Sequence, residues 1–329
     1  MKVAVTGAAG FIGANLVELL VSQGHEVTAI DRVRSDHWPD GAVTWVDADV
    51  LDKASMESAL EGVEIVYHLV AMITLKQKDE KALRLNTVGV RTVAEAALAV
   101  GVRRFVHCSS VHSFDQYSCN GYLNESSHRS EGSDIPVYDR SKWAGEQELQ
   151  KVVAKGLDAV ICNPTGVYGP VDFGSGNGLS RLNAMLRDSA RGRVPAVIEG
   201  GFDLVDVRDV AHGLTLAAEK GRISENYLLT GHMQNMKAVF RLAARATGHR
   251  GPLVAFPLRL IEAIVPIAEP IAAKFGSDVV SRAALGALIA QPEVDGSKAA
   301  AELGYTARPA EETVRDLVSF LIESKQLAG

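Results

Sequence analysis

The chain has 329 residues, 47% of them hydrophobic and 22% charged, with a formal net charge of -6 and three cysteines. That size and apolar content can bury a large core as one unit or two closely joined ones, and the acidic balance, with no Lys/Arg cluster, argues against a nucleic-acid partner. Cys108, Cys119 and Cys162 have neither CxxC nor metal-ligand spacing and the histidines form no ligand motif, so no metal is expected; an odd cysteine count without a signal-type leader points to a reducing, cytoplasmic setting.

The first predicted element is a short apolar strand, Lys2 to Thr6, running into Gly7-Ala8-Ala9-Gly10-Phe11-Ile12-Gly13 and then an amphipathic helix to about Leu20. Strand, glycine turn and helix together receive a pyrophosphate: the glycines permit close approach, and the free N–H groups at the helix start face its charge. A second strand, Glu26 to Ile30, ends at Asp31, where a carboxylate can accept hydrogen bonds from an adenosine ribose and so favours NAD. Arg32, with Arg34 nearby, is the feature that would admit the 2′-phosphate of NADP. Apolar runs near 43–47, 63–69, 103–108 and 157–163, with helical periods between them, predict an α/β fold: a Rossmann-type doubly wound parallel sheet. Ligands then lie at the strand C-terminal ends, where Gly7, Asp31, Ala71 and Ser110 all fall.

The fifth run closes on Ser109-Ser110, and Ser113 to Val137 follows as a polar, irregular stretch, long for a connector, that reads as a flap over the substrate. Tyr138-Asp139-Arg140-Ser141-Lys142 comes next, placing a Tyr and a Lys four residues apart on one helix face. There the ammonium is expected to lower the phenol's pKa for proton exchange with an alcohol or carbonyl; a shift to near neutrality asks for about 4 kcal/mol. Beyond Pro164 the alternation loosens, which divides the chain into a dinucleotide-binding part, 1–165, with later segments contributing strands back to it, and a mainly substrate-binding lobe, 166–329. Gly169 to Arg181 is a glycine-rich loop. The apolar stretch from Gly251 to Pro292 is interrupted by Arg259, Glu262, Pro266, Glu269 and Pro270, so it gives no clean membrane span. It reads as core helices of a small lobe, a cap over an apolar pocket, or a partner- or membrane-surface helix. Ser297 to Leu303 and Ala310 to Leu321 are predicted as closing helices.

These motifs, in this order, resemble the extended short-chain dehydrogenase/reductases, the NAD-dependent epimerase/dehydratase superfamily, over essentially the whole chain. The matching residues are Thr6 to Gly13 (TGAAGFIG), Asp49-Val50 at the adenine, His68-Leu69-Val70-Ala71, Asn86, Ser110, Tyr138 and Lys142, Pro164 to Pro170 (PTGVYGP) and Val205 to Ala211 (VDVRDVA). The resemblance implies a catalytic Ser110, Tyr138 and Lys142. It implies cofactor contacts at Gly7, Ala9, Gly10, Phe11, Ile12, Gly13, Asp31, Arg32, Asp49, Val50, Leu69, Val70, Ala71, Asn86, Ser109, Tyr138, Lys142, Cys162 and Pro164, and a substrate contact at Asn163; His112, standing where the family has a small residue, is expected either to line the substrate site or simply to be exposed.

The implied activity is hydride transfer between nicotinamide and a carbonyl or secondary alcohol. Sugar-nucleotide members carry a basic Arg-x-Gly-Asp-like segment before the final helix, where this chain has IAQPEVDGSKA. That favours a small apolar substrate, as in the dihydroflavonol reductase and 3β-hydroxysteroid dehydrogenase branches. A nucleotide-sugar epimerase or dehydratase, with Arg181, Arg187, Arg191 and Arg193 gripping a diphosphate, and a catalytically weak NAD(P)-binding regulatory module are the alternatives. Apolar residues on the helices at 79–100 and 138–155, among them Val90, Val93, Ala97, Trp143 and Leu149, predict a homodimer.

Overall fold

The computed structural model describes every residue except 36, 39, 40, 174–177, 260–289, 328 and 329. Its strands, in chain order, are β1 (Lys2–Thr6), β2 (Glu26–Ile30), β3 (Thr44–Val46), β4 (Ile65–His68), β5 (Arg104–Cys108), β6 (Tyr122–Leu123), β7 (Ala159–Pro164), β8 (Gly166–Tyr168), β9 (Ala196–Ile198), β10 (Gly201–Asp206), β11 (Asn226–Leu229), β12 (His232–Asn235), β13 (Val254–Phe256) and β14 (Glu293–Val294). Seven form one sheet in the order β11-β7-β5-β4-β1-β2-β3, and every pairing in it is parallel. From β1 the chain winds one way to β3 and then returns to β4 on the other side, so the strand order reverses between β1 and β4. A crevice opens at the C-terminal ends of the strands flanking such a reversal.

Six of the seven strands coincide with the apolar runs expected from the sequence. The seventh, β11, lies in the part assigned to the substrate lobe and returns to the large sheet beside β7. A parallel sheet covered on both faces needs apolar side chains on both. Val3 and Val5 of β1 pack with Leu16, Val17 and Leu20 of α1 (Phe11–Ser22) on one side. Ala4, on the other, joins Met56, Val90, Val93, Phe105 and Leu149. A third cluster, built on Tyr168, Leu186, Leu204, Phe240, Val314 and Leu317, forms the core of the smaller part.

The residues behind two expectations take definite places in this packing. Val90, Val93, Ala97 and Leu149 are buried by the chain's own sheet face, and half-buried Trp143 lies under the Arg129 guanidinium and donates to Glu131. The four aliphatic residues invoked for a dimer therefore pack within one chain. The stretch from Ser113 to Val137 is also tied down: Phe114 bridges Arg129, β6 pairs with β14, and the Tyr122 hydroxyl donates to Asp295 at 2.6 Å. Of the apolar stretch Gly251 to Pro292, residues 260–289 lie outside those described. No helix among the described residues is long and apolar enough to cross a membrane.

Candidate active site

The glycine turn follows β1 directly. Gly7 has φ 75°, left-handed backbone that a side chain resists, and a Cβ there would also press on the backbone of Leu69 and Val70 at 3.2–3.3 Å. A Cβ at Gly13 would fall 2.1 Å from the Gly7 carbonyl oxygen, so glycine is what lets α1 start against the turn. No side chain caps that helix and no acidic residue sits in its first turn, which leaves its positive end open to an anion. Asp31, just past β2, accepts from the Ala9 N–H at 3.1 Å and the Arg32 N–H at 2.8 Å. Its carboxylate thus stands beside the turn, while Arg32 is exposed. Leu69 hydrogen-bonds back to the Thr6 carbonyl at 3.2 Å, bringing the Leu69-Val70-Ala71 segment to the same edge. An uncapped helix start, a carboxylate beside the turn and a backbone with room only for glycine fit a dinucleotide.

At the end of β5, Ser110 opens a short 3-10 turn, Val111–Ser113. Its hydroxyl stands close enough to the phenol of Tyr138, in the first turn of α5, the helix Val137–Val153, to influence its ionisation. Lys142, one turn on, is 2% exposed and donates to the Cys108 carbonyl at 3.0 Å. The structure thus brings Ser110, Tyr138 and Lys142 to one edge of the sheet. It differs from the sequence-based expectation in one respect. Burial is the largest influence on Tyr138 and pushes the phenol above its usual range; the Ser110 hydroxyl opposes this, and Asp139 and Cys108 add to the rise. Burial likewise lowers Lys142, with Cys108 and Glu146 opposing. Desolvation dominates both groups, Lys142 is not among the influences on Tyr138, and the phenol keeps its proton at neutral pH.

Several residues assigned to ligand contact are engaged elsewhere. Asn163 is fully buried; its amide donates to the Ser110 carbonyl and Ser113 hydroxyl at 3.0 Å and to Glu146 at 2.7 Å, and its oxygen accepts from Asn226. It holds the backbone of Ser110. The Ser109 hydroxyl donates to Glu146, so the hydroxyl presented to Tyr138 is that of Ser110. The Cys162 side chain is buried among the residues under α1, its thiol pushed well up by burial, and only its backbone faces Ser109, accepting at 2.8 Å. Asn86 clamps both polar groups of the Met72 backbone and donates to Ser141 at 2.8 Å, fixing the chain beyond Ala71. Asp49 accepts from the Leu51 N–H at 2.9 Å, and Val50 is buried.

Sequence reasoning missed the carboxylates behind the site. Glu146, 0% exposed, receives Ser109, Asn163, Asn226 and the Arg129 guanidinium, which also lies over the Phe114 ring. Asp139, 3% exposed, contacts Nδ1 of His112 at 3.1 Å. The only signal for either was its spacing from Tyr138, one and eight residues on, which puts both on α5. Beneath Lys142, Thr6, His68 and His107 lie in register across β1, β4 and β5. The Thr6 hydroxyl is 2.8 Å from Nδ1 of His68. Burial, then Lys142, lowers both histidines, His68 to about 3, so both are neutral.

Fold and site together define a dinucleotide-dependent α/β enzyme with a Ser, Tyr and Lys centre. The profile of the NAD dependent epimerase/dehydratase family matches residues 3–229, and the chain belongs to that family, the extended short-chain dehydrogenase/reductases, enzymes whose cofactor is NAD. It is 36% identical over 280 residues to sterol demethylase protein B of Methylococcus capsulatus, covering 84% of this chain and 83% of that one. It is 30% identical over 322 residues to a Synechocystis protein described as a putative dihydroflavonol 4-reductase, covering 95% and 92%. The crystal structure of gox2253 superposes with a TM-score of 0.84 at 31% identity over 98% of each chain.

Proposed function

We propose that the protein reduces a ketone, or oxidises the corresponding secondary alcohol, on a small and largely apolar substrate. The observation that carries this reading is the buried cluster of Ser110, Tyr138 and Lys142 at the sheet edge that the glycine turn occupies. NAD, when bound, supplies or accepts the hydride at nicotinamide C4. Gly7, Gly10 and the start of α1 hold its pyrophosphate, and Asp31 its adenosine ribose. Tyr138 gives its proton to the substrate oxygen, and Ser110 orients that oxygen. Burial keeps the Tyr138 phenol protonated, the state an acid needs in the reduction direction. Lys142 steadies the phenolate left behind and holds the nicotinamide ribose.

Two observations favour an apolar substrate over a nucleotide sugar. Arg187 and Arg191 pair with Asp188, Arg191 also donates to the Gln326 and Leu327 carbonyls, and Arg181 and Arg193 have partners of their own. Releasing them onto a diphosphate would cost those interactions. The relatives at 36% and 30% identity are named for a sterol and a dihydroflavonol, and neither name mentions a nucleotide sugar. Apolar cover on such a ligand contributes roughly 25 cal/mol per Å². The test is NADH oxidation at 340 nm with cyclohexanone, acetophenone and a 3-ketosteroid, set against binding of UDP-glucose. Reduction of a ketone with one NADH consumed per product supports the reading. Tight UDP-glucose binding with no net NADH change refutes it in favour of an epimerase.

A further inference from the structure

Charge is unevenly spread along the chain. Against a net charge of -6, residues 226–261 contain no Asp or Glu but carry Lys237, Arg241, Arg245, Arg250 and Arg259. Arg241 donates to the Pro252 carbonyl at 2.9 Å. Among the described residues no carboxylate meets Lys237, Arg245, Arg250 or Arg259, and the three arginines are exposed. Surface cations in this protein otherwise pair readily, as Arg222 does with Glu302 and Arg308 with Asp209.

Exposed apolar side chains lie beside these cations. Leu253, Val254 and Phe256 are 63%, 49% and 44% exposed, three large apolar residues within four positions. Their segment leaves the helix Met236–Arg245 closely: a Cβ added at Gly251 would come 3.0 Å from the Arg241 Cα and from the Ala244 Cβ. It then runs as β13 beside β9, with no second neighbour strand among the described residues. Val254 and Phe256 point to one face of that strand, shared with their half-buried register partners Ala196 and Ile198. The Phe256 carbonyl accepts from the N–H of Glu199, the carboxylate-bearing residue beside this face. Met233, 48% exposed, extends the apolar area, its sulfur 3.5 Å from where a Cβ on Gly201 would sit.

An apolar surface rimmed by unpaired cations marks a binding face, and its chemistry selects the occupant. Nucleic acid offers phosphates but no apolar layer for Leu253, Val254 and Phe256. A second copy docked through the same face would bring arginine against arginine. An anionic bilayer supplies both needs, headgroup phosphates for the guanidinium groups and an acyl boundary for the apolar side chains. We propose that the face formed by Arg245, Arg250, Leu253, Val254, Phe256 and Arg259 docks the protein on an anionic lipid surface, lying on it without crossing. The proposal stands apart from the substrate reading and holds whatever the enzyme reduces.

Flotation of the full NAD-loaded chain with vesicles of phosphatidylcholine, and of phosphatidylcholine mixed equally with phosphatidylglycerol, tests it. Partitioning onto the mixed vesicles should exceed that onto phosphatidylcholine at least about tenfold and weaken as sodium chloride rises from about 0.1 to about 0.5 M. Arg245→Glu with Arg250→Glu should lower it about tenfold or more, and so should Leu253→Ser with Phe256→Ser. Lys53→Glu with Lys155→Glu makes the same change in net charge at exposed sites elsewhere and should float as wild type does. Wild-type melting and NADH affinity in each double variant show that it is folded. Absence of wild-type flotation, equal flotation with both vesicles, or equal losses in the lysine and arginine pairs overturns the proposal. A dimer seen by light scattering that Leu253→Ser with Phe256→Ser dissociates, without vesicle binding by the wild type, assigns the face to a second copy and overturns it as well.

Discussion

Gly13→Ala tests the geometry of the nucleotide turn. The added Cβ would lie 2.1 Å from the Gly7 oxygen and 2.9 Å from both the Gly7 carbonyl carbon and the Ala8 Cα, all backbone atoms with no rotamer to change. Relief requires the start of α1 to lift from β1 by more than an ångström, loosening Leu16, Val17 and Leu20, each at most 1% exposed. Overpacking of a tight core costs about 1–3 kcal/mol. Here the obstacle is main chain, so we expect the upper end, about 3 kcal/mol, or roughly 4 °C in melting temperature for a chain of this size. Gly10→Ala is the control. Gly10 has φ -72°, which alanine adopts, and its Cβ would meet only the Gly7 oxygen, at 3.1 Å. That variant should melt within about a degree of wild type yet bind NADH more weakly, because a methyl group intrudes where the pyrophosphate approaches. Scanning fluorimetry with and without NADH, and titration of NADH fluorescence, separate the two effects. Wild-type melting of Gly13→Ala would refute the reasoning.

Tyr138→Phe should retain NADH binding and lose at least about a hundredfold in turnover, measured at 340 nm; full activity would remove Tyr138 from the mechanism. Asp31→Ala should narrow or reverse a preference for NADH over NADPH in paired titrations, since it removes the carboxylate and leaves Arg32 exposed beside the ribose site. Arg129→Met should cost about 3 kcal/mol in urea unfolding by leaving Glu146 buried without its cation, and a loss below 1 kcal/mol would show that the surrounding amides suffice. His68 and His107 have folded pKa values below their unfolded ones. Their contribution to stability is therefore present above about pH 6.5 and lost as pH falls below it. From pH 7 to 5.5 the pair should cost about 2 kcal/mol, partly offset by His112, whose shift has the opposite sign. A flat stability profile over that range would contradict the assignment of both rings as neutral.

The sequence by itself determined most of the large sheet and the nucleotide turn, because both rest on local signals. Six strands stand out as apolar runs, and Gly7, Gly10 and Gly13 are spaced by the needs of a single turn. Ser110, Tyr138 and Lys142 were legible for a similar reason, each lying in a motif whose spacing matches a strand end or one helix face. The seventh strand, β11, has only Asn-Tyr-Leu-Leu to announce it, and its place beside β7 comes from pairing 62 residues after β7 ends. Only the tertiary structure could decide which polar groups face a ligand and which face one another. Asn163, Ser109 and Asn86 carry the same functional groups whether they meet a substrate or a buried carboxylate, and it was Glu146, Arg129 and the Met72 backbone that claimed them. The same holds for Tyr138 and Lys142. A spacing of four predicts attraction between them, but burial sets both pKa values, and desolvation belongs to the packed interior, not to any short stretch of chain.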